Sequence, residues 1–422
     1  NAGLVLDFIT SVLIVRYLGI DDYGHYTSLY LLPILLASLG SFGFGPSIVY
    51  HINRGDNNLR SYLFTFTILG LVLGAGFYVV VGLGASSINE YFYENRLDNR
   101  FFLIALIFVP VVIIQKLLRA IIRGIYDVKV FSILIDFVVP SLRLICILSV
   151  LIGNFGLFGV VMTPAIVQAT VTLYMFYYLF KKSASENQFG FVNRVMFVEI
   201  TKFALKSFLG SFLQKSNISL VTLIASTLLS FIEIGVLTLA QKLLSLISSV
   251  SGSLLTVLMP KVSRSSISEI KKFIPKVTSI LLWFNGVALA GYVIFIDIIV
   301  YYLYGEGLSA IGDLTIPLGL ATILLPVCNV LLLVVTFTGD PIKKSYARGA
   351  GFFVNIASLY PLYIAYGTFG VAISIALGQG IIFLLSLYFF RSKFSTISFS
   401  KLFIVSLDDL KTLTRVILKK GI

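Results

Sequence analysis

Long apolar runs broken by short polar turns mark this chain from its first residues. Leu4 to Val15 carries a single charge, Asp7, and Tyr26 to Tyr50 carries none. Between them stands Arg16-Tyr17-Leu18-Gly19-Ile20-Asp21-Asp22-Tyr23-Gly24, whose glycines allow a tight turn and whose aspartates favour a break in helix. The stretch predicts a polar hairpin between two helices. Similar runs recur to residue 390, each near the roughly 20 residues that a helix needs to cross a bilayer. Twelve spans are predicted, at about 1–18, 26–50, 61–86, 101–122, 131–152, 156–180, 202–229, 233–258, 275–302, 311–337, 346–366 and 368–390. Leu144 to Phe180 and Gly349 to Phe390 are uncharged and too long for one crossing. Gly153-Asn154-Phe155-Gly156 and Tyr366-Gly367-Thr368-Phe369-Gly370 supply the turns that split them. A transmembrane β-barrel would alternate polar and apolar residues, and these runs do not. The expected fold is an all-α polytopic membrane protein.

Composition agrees. The chain is 58% apolar and 12% charged, with a mean hydropathy of +0.99, whereas soluble domains hold about 25% charged residues. A net charge of +13 could point to nucleic acid, but no basic helix or RNA-binding motif is present, and no nucleic-acid partner is expected. Lys and Arg collect instead in alternate loops. One set holds Arg54 and Arg60; Arg119, Arg123 and Lys129; Lys181, Lys182 and Arg194; Lys261, Arg264, Lys271, Lys272 and Lys276; and Lys343, Lys344 and Arg348. The opposite set holds little beyond Arg16, Arg96 and Arg100. The positive-inside rule then places both termini in the cytoplasm. The tail, 393–422, is amphipathic, with Leu402, Leu410, Leu413 and Ile417 on one face. It reads equally as an interfacial helix on anionic lipid or as a solvated tail. Cys146 and Cys328 lie within apolar runs and read as small fillers. His25 and His51 are far apart, so neither a metal site nor a cofactor is expected.

The two halves repeat. A shift of 211 residues overlays Phe158-Gly159-Val160 to Gln168 on Phe369-Gly370-Val371 to Gln379. The same shift places Asp22 on Glu233, Gly24 on Gly235 and Thr27 on Thr238. Two matches at one offset point to duplication. Six spans per half make a parallel repeat, with an N-terminal lobe at 1–190 and a C-terminal lobe at 191–392. The offset also predicts about ten further residues ahead of Asn1.

Charges inside spans cost roughly 2.5–3.5 kcal/mol each and raise functional hypotheses. Lys215 lies mid-span between Gln214 and Asn217, and Lys242 follows Gln241. Neither lysine has a carboxylate within four residues, so lining a wet cavity is the favoured reading. Arg143 is central in the fifth span and Asp7 lies in the first. Asp136 and Arg143, seven residues apart, fall on one helical face and can pair. Lys116 and Asp297 are close enough to span ends to snorkel. The excess of deep cations suggests an anionic substrate group, and a phosphate or pyrophosphate suits lysine charges and an arginine fork. Gln168 and Gln379 read equally as interhelical bonds or cavity lining. Glu90, Glu94 and Asp98 recur every four residues as a solvated face, not as a clustered acid/base site; transport is expected rather than catalysis.

Arg16-Tyr17-Leu18-Gly19 followed by Asp22-Tyr23-Gly24 resembles the signature "R-x-L-G-x-x-x-[YF]-G" of polysaccharide flippases. These are the Wzx-type O-antigen and capsule repeat-unit translocases of the multidrug/oligosaccharidyl-lipid/polysaccharide (MOP) superfamily. Ile234-Gly235, Ala240-Gln241-Lys242-Leu243 and Met259-Pro260 are similar to that family's second-half motif. The resemblance implies a V-shaped fold of two six-helix lobes whose cavity is lined by spans 1, 2, 7 and 8. Lys215, Lys242, Asp7 and Arg16 fall on those spans. It further implies an undecaprenyl-pyrophosphate-linked oligosaccharide moved from the inner to the outer leaflet of the bacterial inner membrane. A polysaccharide polymerase and a chain-length regulator are the implied protein partners, with membrane lipids around them. One departure is that Asn217 is followed by Ile218 and Ser219, where family members often carry Asp, which puts any ion coupling through that Asp in doubt. Alternatives are a drug/cation antiporter of the same superfamily, which would favour buried carboxylates over lysines, and a membrane-embedded polymerase or glycosyltransferase.

Overall fold

The computed structural model describes residues 2–53, 58–93, 98–184, 190–264, 267–305, 308–338 and 340–394. Arg54, Glu94, Arg96 and the amphipathic tail from residue 395 lie outside these. Among the described residues the chain is helical throughout and forms no strand. It divides into two compact units, Asn1–Thr238 and Leu239–Ile422.

The first unit opens with α1 (Ala2–Leu18) and α2 (Ile20–Gly40). The expected hairpin shrinks to one residue, Gly19 at φ 90, a backbone conformation that glycine adopts without strain. Asp21 and Asp22 are therefore not in a loop. They occupy the first turn of α2, where the helix dipole favours acidic side chains. α3 (Phe44–Ile52) continues the second span, α4 (Leu59–Leu83) follows, and α5 (Ala85–Tyr93) lies between spans. The fourth span breaks at Ile107 into α6 (Asn99–Leu106) and α7 (Phe108–Gly124). Gly70 and Gly74 let α4 approach Ile114 and Pro110 of α7 so closely that a Cβ would clash, the usual device where apolar burial cannot drive helices together. Around that contact Tyr62, Leu63, Phe66, Ile113 and Leu117 form a sealed core. After α8 (Val128–Ser132) a π-helical turn, Ile133–Val138, leads into α9 (Val139–Ile152) and α10 (Gly156–Lys182). The carbonyl of Val161 in α10 accepts the Tyr30 hydroxyl from α2.

α11 (Arg194–Ala225) packs against α2 and α3 within this unit. The Ser47 hydroxyl donates to the Ile200 carbonyl at 2.7 Å, and the Tyr50 and Phe203 rings stack at 4.8 Å. The first unit thus takes in α11 and the opening turns of α12 (Phe231–Arg264), whereas the sequence repeat turns over near residue 190.

The second unit holds the rest of α12, α13 (Ile267–Tyr304), the short α14 (Ala310–Asp313), α15 (Thr315–Phe337) and α16 (Pro341–Lys393). Asn285 ties α13 to α12 by donating to the Ser251 hydroxyl at 2.8 Å. α16 would be about 80 Å long if straight, more than twice the hydrocarbon thickness. Gly367, at φ 57 and ψ −137, folds it into two arms. Asn355 and Ser374 meet at 3.1 Å between those arms.

Nine helical segments among the described residues are long and apolar enough to cross a membrane. The 17-residue α1, the more charged α11 and the break at Gly367 account for the remaining three of the twelve predicted spans. The protein is a multi-pass membrane protein, and its duplication is visible in the backbone. α2 begins at Ile20 and α12 at Phe231, 211 residues later. α10 begins at Gly156, φ 58, and the second arm of α16 at Gly367, φ 57. Those two helices end at Lys182 and Lys393, and each lysine clasps an acid from the loop before its hairpin. Lys182 reaches Asp127 at 2.8 Å, and Lys393 reaches Asp340 at 2.7 Å.

Candidate functional site

The polar interior of the first unit is assembled on α1, α2, α7 and α9. Gly3 starts it. A Cβ there would sit 2.6 Å from the Asp136 carbonyl, so its absence lets α1 lie against the π-helical turn. This contact sets Asp7 of α1 opposite Arg143 of α9, and their side chains pair at 2.8 Å, Arg143 Nη1 donating to Asp7 Oδ1. Both remain about a quarter exposed, 27% and 23%. The intrahelical pair expected between Asp136 and Arg143 does not form. The π turn at Ile133–Val138 adds residues to the helical repeat and removes the two from a common face, leaving Asp136 exposed.

Arg143 uses one arm of its fork on Asp7, while its Nε is buried and donates to no described group. Tyr26 of α2 stands within the electrostatic field of both partners, and its ring continues into Tyr30 at 5.3 Å. From α7, Gln115, Arg119 and Arg123 project at four-residue spacing. Arg119 donates to the Gln115 carboxamide and feels Arg123, Arg143 and Asp136, and Arg123 lies over the Phe131 ring at 4.1 Å. Arg143 and Arg119, both partly buried, thus stand with Asp7 in this interior, while Arg123 and Asp136 are exposed at its edge. The expectation that Arg119 and Arg123 belong to a loop is corrected, since both lie within α7. Lys116 does not snorkel. It is partly buried and donates to the Ser38 hydroxyl of α2 at 3.0 Å.

Of the predicted set, the structure brings Asp7 and Arg143 together. Arg16 is exposed in the last turn of α1, about 13 Å along that helix from Asp7, where the helix dipole favours a cation. Gln241 and Lys242 lie on α12 in the second unit, partly buried, and the Gln241 amide nitrogen has no described acceptor. Gln214, Lys215 and Asn217 lie on α11, but their side chains are outside the described ones. Gln168 and Gln379 are both buried, and Gln379 donates to the Cys328 sulfur at 3.3 Å. Sequence reasoning missed the contribution of α7. The four-residue spacing of Gln115, Arg119 and Arg123 was the signal that could have found it. Among the described residues no three His, Cys, Asp or Glu side chains are grouped to hold a metal ion.

A second feature of the first unit joins the two halves of the repeat. A Cβ on Gly24 would overlap the Phe231 carbonyl, and a Cβ on Gly235 would sit 2.9 Å from the Ile20 carbonyl. These are the same contact made twice, because Ile20 and Phe231, like Gly24 and Gly235, are related by 211 residues. Thr27 and Thr238 repeat it once more, each hydroxyl donating to the carbonyl of its own glycine at 3.0 Å. His25 stacks on Phe231 at 3.9 Å beside the junction.

A family model described as polysaccharide biosynthesis protein matches residues 2–266, which include Asp7, Arg143 and both junction glycines. The chain belongs to that family. Among solved structures this family member is similar to the lipid II flippase MurJ in an inward closed conformation, with 15% identity and a TM-score of 0.77. That match covers 100% of this chain and 91% of the other. It is similar also to an inward-facing multidrug resistance MATE family transporter of the MOP superfamily. The identity is 14% and the TM-score 0.74, over 94% and 96% of the two chains. A MOP superfamily transporter from Pyrococcus furiosus matches at 14% identity and a TM-score of 0.62, over 94% of each chain. No curated protein sequence matches the chain. At these identities the likeness concerns the fold, the two-lobe helical fold of the MOP transporters, and it agrees with the duplication seen in the backbone.

Proposed function

We propose that the protein is a flippase that carries an undecaprenyl-pyrophosphate-linked oligosaccharide from the inner to the outer leaflet of the bacterial cytoplasmic membrane. The observation that supports this most directly is a membrane-interior arginine, Arg143, half-used by Asp7, in a member of a polysaccharide biosynthesis family. A diphosphate offers several oxygens to a planar fork and competes with a single carboxylate for it. Arg119 and Arg123 add positive field, and the half-buried Tyr26 offers a ring and a hydroxyl to a sugar. Lys215 and Lys242 are the further cations proposed to follow the headgroup, with Gln214, Asn217, Gln241 and Arg16 around the path. The prenyl chain stays in lipid. Both termini face the cytoplasm, and a polymerase with its chain-length regulator would receive the product.

A drug/cation antiporter needs a carboxylate that is available to a cation, and Asp7 is already neutralised by Arg143. The reading is tested in a strain that requires this gene for its surface glycan. Arg143→Gln and the double variant Lys215→Gln/Lys242→Gln are expected to lose glycan at normal protein level. Full glycan in both would overturn the proposal.

A further inference from the structure

The second unit buries a cation that the transport reading does not use. Arg348 lies two turns into α16 and is 4% exposed, although sequence patterning placed it in a basic loop. Its Nη2 donates to Asn329 of α15, a neutral acceptor, and its Nε is sealed and has no described acceptor. Lys344, one turn nearer the start of the helix, is partly buried and lies in the field of Arg348. Among the described residues no carboxylate comes within ion-pair distance of either. The nearest acid in sequence, Asp340, is engaged by Lys343 at 3.1 Å and Lys393 at 2.7 Å. Cys328, which lies in the field of Arg348, is neutral and fully buried.

Two like charges withdrawn from water repel one another, and a buried ion is tolerated only when a counter-charge or a full set of hydrogen bonds repays its desolvation. Asn329 meets one of the five guanidinium donors. We propose that Arg348, Lys344 and Asn329 form an anion site that takes a phosphate of net negative charge, from an anionic lipid or free in solution, rather than the phosphate of phosphatidylcholine, whose charge its own choline balances. The guanidinium would supply charged donors beyond the one that Asn329 meets, and Lys344 the second point charge. Arg348 lies within about 10 Å of the start of α16, near the end of a candidate span, so a lipid phosphate reaching in from the headgroups and a free phosphate ion are two sources of the same chemistry. This inference concerns the second unit alone and stands independently of the proposed cargo.

The test uses the full chain reconstituted in nanodiscs of three kinds. These are phosphatidylcholine alone, phosphatidylcholine with phosphatidylglycerol, and phosphatidylcholine with inorganic phosphate. Thermal unfolding is compared for the parent, Arg348→Gln, Arg348→Met and Lys344→Gln. Phosphatidylglycerol is expected to raise the parent's Tm, to leave Arg348→Gln unmoved and to raise Lys344→Gln by less than half as much. In phosphatidylcholine alone Arg348→Met is expected to melt above the parent, because an uncompensated buried charge has been removed. A shift with phosphatidylglycerol only makes the ligand a lipid headgroup, and a shift also with inorganic phosphate makes it a free ion. Either result supports the site. Equal shifts in parent and Arg348→Gln, or no shift in the parent with either anion, would overturn it. If Arg348→Gln does not fold, an undiminished shift in Lys344→Gln overturns it instead.

Discussion

Arg143 in the first unit and Arg348 in the second stand on the fifth span of their respective repeats, yet they are accommodated differently. Arg143 keeps about a quarter of its surface and is neutralised by Asp7 from another helix. Arg348 is almost wholly enclosed and is met by an amide. Duplication supplied the same helices to both lobes, but the acid came from α1, which contacts α9 through Gly3 in the first unit only. A backbone repeat is therefore no guarantee of an electrostatic one. The difference turns on which side chain faces the guanidinium.

The largest effect is expected from breaking the first pair. Removing one member of a fully buried ion pair costs about 3–5 kcal/mol, and the residual exposure here lowers that to roughly 1–3 kcal/mol. Asp7→Ala or Arg143→Ala should lower Tm accordingly. Asp7→Asn with Arg143→Gln should recover most of the stability while glycan export stays lost. Full recovery of export in the double variant would reduce the pair to a structural clasp.

An effect of comparable size is expected at the junction of the two repeats. A methyl group at Gly24 must displace backbone, whereas at Gly235 it meets Ile20 at its limit of approach. Gly24→Ala is expected to cost about 1–3 kcal/mol by overpacking, and Gly235→Ala less. Thermal unfolding of both variants checks the order, and equal costs would mean that the closer approach at Gly24 is not felt.

A smaller and opposite effect would sharpen the contrast between the arginines. Asn329→Asp gives Arg348 the partner that Arg143 already has, at nearly constant shape. A charge-assisted bond in place of a neutral one is expected to add roughly 1 kcal/mol and to abolish the Tm response to anionic lipid.

The smallest effect concerns the duplicated clasps. Bonds from Lys182 and then Tyr178 hold the Asp127 carboxyl down at about 2, below the roughly 3.9 of a free aspartate. A depressed carboxyl stabilises the folded state above its unfolded pKa and loses that contribution as pH falls through the folded value. The clasp should hold at neutral pH and release between about pH 4 and pH 2. Lys393, with Lys343, likewise lowers Asp340. Amide exchange at the end of α10 should rise over that window, and Asp127→Asn should flatten the dependence.

The twelve spans and the 211-residue repeat were legible in the sequence, because bilayer thickness fixes span length and water fixes where Gly and charge interrupt it. Asp7 and Arg143 were legible singly, as charges too deep to be incidental. Their pairing was not. Counting seven residues from Asp136 assumed a regular helix, and a π turn changed the register. Arg119, Arg123 and Arg348 were taken for loop residues, since a charge within two turns of a helix end looks the same in one dimension whether it stays outside, as Arg123 does, or is enclosed, as Arg348 is.

For this protein the sequence by itself determined a polytopic, duplicated helical membrane protein with an excess of interior cations, since hydropathy, span length and repeat offset are properties of the chain alone. Tertiary structure decided which charges meet. It reduced the Arg16-to-Gly24 hairpin to a single glycine, placed Gly24 on Phe231 and Gly235 on Ile20, gave Asp7 to Arg143 and left Arg348 with an amide. The physical reason is that ion pairing and close backbone approach depend on distances of a few ångströms between helices remote in sequence, and local register changes move those distances without altering hydropathy.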